Sequence, residues 1–287
     1  MKLYVNLFCL AFFTSIIFLF TSCDEKEVLI PEFVLPDSDR VVVIEKLTGV
    51  RCSNCPGGSA ELRRIKDSLF SGNVAIVGIH SSLLANPYPD SKYDFRAPFN
   101  DEIQDYLGIP FGKPSAYINR QYYDEESSRA ILFTDSGSWA PYIAQELESP
   151  SALDMDALHV FNPETRELNI SLSITAKSLL EGRYRLTVYL TESDIIDPQL
   201  DQTEGVIEDY KHNFVLRQVL TNVTGDVLPD VLIPDQPINR TFNFIIPEED
   251  GWWNVSNMNA IAFVTSYDVE NPDIREVLQA VQFDLLQ

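Results

Sequence analysis

Apolar and polar positions follow two rhythms along this chain, and the change comes near residue 150. Before it, apolar runs alternate with amphipathic stretches. Val41–Leu47 reads as a buried strand, Gly58–Phe70 as a helix and Val74–Ile79 as a second buried strand. Phe99–Leu107 reads as a helix, Ser115–Asn119 as a short strand and Ser138–Leu147 as a closing helix. Such alternation predicts an α/β layer structure.

After residue 150 the period drops to two. Leu168, Ile170, Leu172 and Ile174 alternate with Asn169, Ser171, Ser173 and Thr175. Tyr184, Leu186, Val188 and Leu190 repeat the pattern, as do Phe242, Phe244 and Ile246, and Val281, Phe283 and Leu285. With strands near 154–161, 214–221 and 260–266, about seven half-buried strands follow one another without helices, which predicts an all-β immunoglobulin-like sandwich. The expected division is an α/β domain over 41–150 and a sandwich over 151–287, joined through Glu148-Ser149-Pro150-Ser151.

The N-terminus is of another kind. A single basic residue, Lys2, precedes a nearly unbroken apolar run from Leu3 to Phe20, which ends in Thr21-Ser22-Cys23. This reads as a signal peptide over 1–22. The small-small-Cys ending resembles a bacterial lipobox, in which Cys23 becomes the lipidated first residue; an uncleaved anchor is the alternative. Either way the rest of the chain lies outside the cytoplasm, tethered to a membrane. Acyl chains contribute roughly 0.8 kcal/mol per buried methylene, enough for a multiply acylated cysteine to hold. Residues 23–40, acidic and interrupted by Pro31 and Pro36, read as a solvated tether. The formal net charge of -22 argues against nucleic acid and anionic lipid surfaces as partners.

Of four cysteines, Cys9 lies in the apolar leader and Cys23 ends it. Cys52 and Cys55 remain, in Cys52-Ser53-Asn54-Cys55-Pro56, after a buried strand and before a helix. Cysteines three apart at a helix N-terminus can close a small ring, and the exposed N–H groups there favour a thiolate. By position Cys52 is the candidate nucleophile and Cys55 the candidate resolving thiol, with Arg51 adding a positive charge beside them. A structural disulfide is the competing reading, since oxidised pairs persist outside the cytoplasm. Zinc needs four ligands; only the scattered His80, His159 and His212 are on offer, so no metal or other cofactor is expected.

Strand, Cys-x-x-Cys, helix, strand, and later a proline before a short strand: this order resembles the thioredoxin fold. The resemblance implies a cis-proline beside the cysteines. Pro114 matches that place best, with Pro110 as the alternative, and it leaves the backbone of Lys113 free to pair with an extended substrate. It also implies a buried acid before the cysteines that takes a proton from the resolving thiol. Glu45 is the candidate, one residue off the common spacing, whose usual position holds Lys46.

Over nearly its whole length the chain resembles the Omp28-related outer-membrane lipoproteins of Bacteroidota. The blocks that carry this are Glu45–Pro56, Pro114–Arg120 and Tyr210–Arg217, with the lipobox-like Cys23. The resemblance implies a thioredoxin-like domain followed by an immunoglobulin-like one at the outer membrane, on its periplasmic face or at the cell surface. It implies no established reaction.

Other features read more plainly. His212 and Arg217 can bind a carboxylate, but Phe214 and Leu216 mark a strand that they decorate. The acid-rich loop Asp194–Asp209 lacks regular calcium-ligand spacing. Trp252-Trp253 can face a glycan or pack an edge of the sandwich, and packing is preferred. The insertion Ser81–Ala97 is long enough to cover the cysteines or to build a groove beside them. Two functions follow. One is thiol–disulfide exchange on extracytoplasmic protein thiols or disulfides. The other is a binding or assembly lipoprotein with a structural disulfide, whose sandwich recognises a protein or glycan.

Overall fold

The structure, a computed structural model, describes residues 38–134, 139–249, 251–268, 270–271 and 274–286. The segment expected to be a signal peptide, Cys23 and nearly all of the expected tether lie outside the described residues. Among the described residues no helix is long and apolar enough to cross a membrane.

Strand β1 (Val42–Thr48) is buried at every position. Its β-branched run suits a strand covered on both faces. It pairs in parallel with β2 (Val74–His80) and antiparallel with β3 (Ser115–Ile118), and β3 pairs with the two-residue β4 (Ile131–Leu132). Helix α1 runs from Cys55 to Arg64 and ends in a wider π-helical turn, Ile65–Leu69. It therefore starts at the second cysteine, earlier than the sequence pattern predicts. Helices α2 (Pro98–Leu107) and α3 (Ala140–Leu147) complete this part.

The later strands are β5 (Leu153–Asn162), β6 (Glu167–Ala176), β7 (Tyr184–Glu192), β8 (Val215–Val219), β9 (Ile238–Ile245), β10 (Met258–Ser266) and β11 (Val277–Asp284). They divide between two sheets. A three-stranded sheet has the order β9-β6-β5. The others join the first part in one nine-stranded sheet of order β11-β10-β7-β8-β2-β1-β3-β4, with the short strand Asp226–Val227 beside β7.

The expected boundary at residue 150 thus meets a continuous sheet, and the described residues fall in one compact unit, Leu35–Gln287. The joint is the parallel contact of β2 with β8, where Gly78 N–H donates to the Phe214 carbonyl at 2.6 Å. A Cβ on Gly78 would lie 3.2 Å from that carbonyl oxygen, so the close approach favours glycine.

Three cores follow from strand alternation. On one face of the large sheet, Val43, Leu47, Val77, Tyr117, Tyr189, Leu216 and Phe263 pack with Ile103 and Leu107 of α2. This core draws on both parts of the chain. On the other face, Ile44 and Ile76 pack with Leu62 and Ile65 of α1 and Ile143 of α3. Further along, Leu186, Val188, Ala260 and Ala262 of the large sheet pack with Leu168, Ile170 and Leu172 of the small sheet in a third core.

Candidate functional site

Cys52 and Cys55 form a disulfide with Cα atoms 5.3 Å apart. Cys52 is 4 % exposed and Cys55 1 %. Three layers of chain bring this about. Beneath lies α1, whose Gly58 presses so close to Pro114 that a Cβ would sit 2.8 Å from the ring. The Lys113–Pro114 peptide is cis.

Beside the pair lies the insertion. Arg51 N–H donates to the Leu84 carbonyl at 2.8 Å. The Arg51 guanidinium donates to the Asn86 and Pro87 carbonyls at 2.8 and 2.7 Å and lies over the Tyr88 ring. Its charge is thereby turned into the insertion. Over the pair lies a hairpin of the second part, Gln199–Asp201 with Gly205–Ile207. Leu200 N–H donates to the Val50 carbonyl at 2.8 Å, and the Gln199 amide reaches the Cys52 carbonyl at 3.1 Å. The sequence reading missed Gln199, because nothing local in 194–209 marks a contact with the cysteine loop.

An aromatic column fixes the insertion from below. Phe95 stacks on His80 at 4.7 Å and packs on His212 and Trp252, while Tyr93 stacks on Trp252 at 4.4 Å. Lys92 N–H donates to the Asp197 carboxylate at 2.7 Å. The insertion therefore holds Arg51 beside the pair and ties the cysteine loop to the second part of the chain. Acids of the 194–209 loop act locally as well: Asp201 accepts from the Thr203 and Glu204 N–H groups.

The remaining candidates have firm partners. Glu45 lies on the face of β1 away from α1. There its carboxylate takes two bonds from Arg120 at 2.7 and 2.8 Å and one from the Tyr189 hydroxyl at 3.0 Å. Burial opposes the Arg120 charge, but the Glu45 carboxylate outweighs it and holds that guanidinium protonated. The expected proton relay at Glu45 thus meets a side chain committed to the opposite core. Lys113 spends its ammonium on the Thr48 carbonyl at 3.2 Å and the Ser81 carbonyl at 2.5 Å. Burial lowers its pKa to about 8, with Asp101 pulling the other way. Arg217 pairs with Glu192 at 2.9 Å and lies against both Trp252 and Trp253. Both tryptophans are buried, so neither ring is an open platform.

Lys46 is the charged side chain that β1 turns toward α1. Its ammonium donates to Ser59 Oγ at 2.5 Å, and that hydroxyl donates to the Cys55 carbonyl at 3.0 Å. Burial, reinforced by Arg63, brings its pKa down to about 7. His80 and His212 are also buried; burial lowers His80 well below the usual value and His212 to about 4.

The profile of the outer membrane protein Omp28 family matches residues 100–283, more than half of the chain. The chain belongs to the Omp28 family. The matched span holds Pro114, Gln199 and the second part, and begins after the cysteine pair. That family's compartment is the outer membrane of the cell envelope. Among solved structures, HBP35 of Porphyromonas gingivalis is similar at 18% identity and a TM-score of 0.66, over 86% of this chain and 76% of that one. Protein AGR_C_4864 from Agrobacterium tumefaciens is similar at 12% identity and a TM-score of 0.54, over 87% of this chain and 97% of that one. Both likenesses concern the fold. No curated protein matches this Omp28 chain.

Proposed function

We propose that this Omp28 protein is a lipid-anchored binding or assembly protein of the outer membrane, and that its Cys52–Cys55 disulfide is a closed structural element. The carrying observation is the burial of both cysteines under the Gln199 hairpin. A sulfur that exchanges with protein substrates must be open to a second sulfur in line with its own bond. Here both cysteines are buried, and the hairpin and the insertion bond to the loop that carries them. A shared fold does not carry exchange activity with it.

The surface near the pair suits contact better than chemistry. Leu83, Ile109 and Phe111 are 80%, 71% and 78% exposed on the loops that flank Lys113. A protein partner is the class that such side chains recognise. Anchoring is assigned to Cys23.

The test compares trapping of partners by Cys55→Ser, which leaves Cys52 free, in envelope extracts. This reading expects no Cys52-dependent mixed disulfides and unchanged partner capture when both cysteines are serine in a protein that still folds. Abundant mixed disulfides would support the second reading, thiol–disulfide exchange. On that side stands Lys46, a buried amine bonded to Ser59, whose hydroxyl donates to the Cys55 main-chain carbonyl.

A further inference from the structure

Helix α2 and the loops near its two ends build one continuous surface. The Ser82 N–H donates to the Asp101 carboxylate at 2.8 Å, which holds the turn bearing Leu83 against the helix. At its C-terminus the chain leaves α2 through Gly108, at a φ of +106° that favours glycine, and carries Ile109 and Phe111 outward. The Lys113 ammonium ties this exit to the Leu83 turn, donating to the Ser81 carbonyl at 2.5 Å and the Ser82 hydroxyl at 3.2 Å. Leu132 adjoins the exit: a Cβ on Gly112 would lie 3.3 Å from its methyl group. Leu83, Leu84, Ile109, Phe111 and Leu132 are all exposed, and a group of this size marks a contact surface.

Asp101, Glu102 and Asp105 border this surface, and all three are exposed. Asp101 and Asp105 stand about one turn apart, where like charges repel. Asp105 also falls in the last turn, where the helix dipole disfavours an anion, and α2 has no basic residue there. Among the described residues none of the three has an ion-pair partner. Cations of the neighbouring chain are engaged elsewhere. Arg96 is forked on Asp94, and Arg275 lies over the Tyr106 ring. Lys113 feels the Asp101 charge but spends its hydrogen bonds on Thr48, Ser81 and Ser82.

We propose that this face receives an apolar segment of a partner protein flanked by lysine or arginine. The inference rests on the reading of the surface as a protein contact and adds the chemistry of the partner. Burial of the apolar side chains supplies affinity. Cations set against Asp101, Glu102 and Asp105 supply orientation and a faster approach. A second copy of this chain is opposed, since it brings the same three acids and its own net charge of -22. An anionic lipid surface is repelled for the same reason.

The full-length protein in detergent is titrated with three short labelled peptides at about 0.15 M salt, where long-range attraction is screened. They alternate leucine with lysine, leucine with glutamate, and serine with lysine. Anisotropy, corrected for micelles alone, should show binding of the leucine–lysine peptide only. Ile109→Ser/Phe111→Ser should weaken it about tenfold or more, and Glu102→Gln/Asp105→Asn about threefold. Asp156→Asn/Glu164→Gln removes the same charge from the small sheet and its turn, and should leave the affinity unchanged. An equal loss in that control, or equally tight binding of the serine–lysine peptide, would reduce the effect to net charge and overturn the proposal. Capture from envelope extracts separates this inference from the reading beneath it. A partner lost from both patch variants and kept by the control supports the two together. Loss with Ile109→Ser/Phe111→Ser alone would keep the protein contact and refute its cationic complement; loss with neither would refute both.

Discussion

Gln199 donates its side-chain amide to the main-chain carbonyl of Cys52 at 3.1 Å, across a separation of 147 residues. The contact joins the hairpin of the second part to the loop that holds the disulfide. The same amide reaches the Gly49 carbonyl at 3.4 Å, so one side chain serves two turns of that loop.

Gln199→Ala should loosen this lid. Removing the amide takes one of two donors from each of the Gly49 and Cys52 carbonyls, which costs about 1 kcal/mol. If opening of the lid limits access, dithiothreitol should reduce the variant about fivefold faster than the wild type. The check is stopped-flow reduction with alkylation and mass readout; an unchanged rate would mean that other contacts close the site.

Arg120→Met should destabilise the fold strongly and leave the cysteines alone. It strips the buried Glu45 carboxylate of two charge-assisted bonds, and breaking such a pair from one side costs about 3–5 kcal/mol. Urea denaturation should show the loss. The pH profile of the disulfide equilibrium should keep its wild-type shape, because Glu45 and Arg120 lie on the far face of β1. A changed profile would restore Glu45 as a candidate relay.

Much of this was legible in the sequence. The helix–strand alternation before residue 150 and the period-two runs after it predict elements within a few residues of those found. What the pattern does not carry is the joint. Gly78 and Phe214 meet through main-chain atoms alone, so neither side chain announces that β2 and β8 share a sheet. Glu45 and Lys46 show a related limit. Both are polar residues in an apolar strand, and the sequence does not say which one faces α1. The partners that decide it, Ser59 on one side and Arg120 with Tyr189 on the other, are distant in sequence.

Stability should fall as pH drops from 7 to 5. His212 is buried with its pKa lowered to about 4, against about 6.5 in the unfolded chain. The unfolded state therefore binds the extra proton across that window, and stability present above pH 6.5 is lost on the way down. The His212 contribution amounts to about 2 kcal/mol between pH 7 and pH 5. Urea midpoints at the two pH values should differ less in His212→Gln than in the wild type, whatever the variant's absolute stability. An equal difference would show that His212 does not carry the effect.

Phe95→Ala should free the insertion. Phe95 touches His80, His212 and Trp252, and truncating a buried phenylalanine costs about 3–5 kcal/mol. Hydrogen exchange should rise first in residues 81–97, before the strands of the large sheet. Uniform exchange across the protein would instead mark the insertion as part of one cooperative unit.

The closed state of the Cys52–Cys55 pair is tested most directly by its rate of reduction in the folded full-length protein, set against the rate in urea. A lid held by the Gln199 hairpin and the insertion predicts reduction by dithiothreitol at least about a hundredfold slower in the folded state, as for a bond reached only through local opening. Similar rates in both states would contradict it and give the lead to thiol–disulfide exchange.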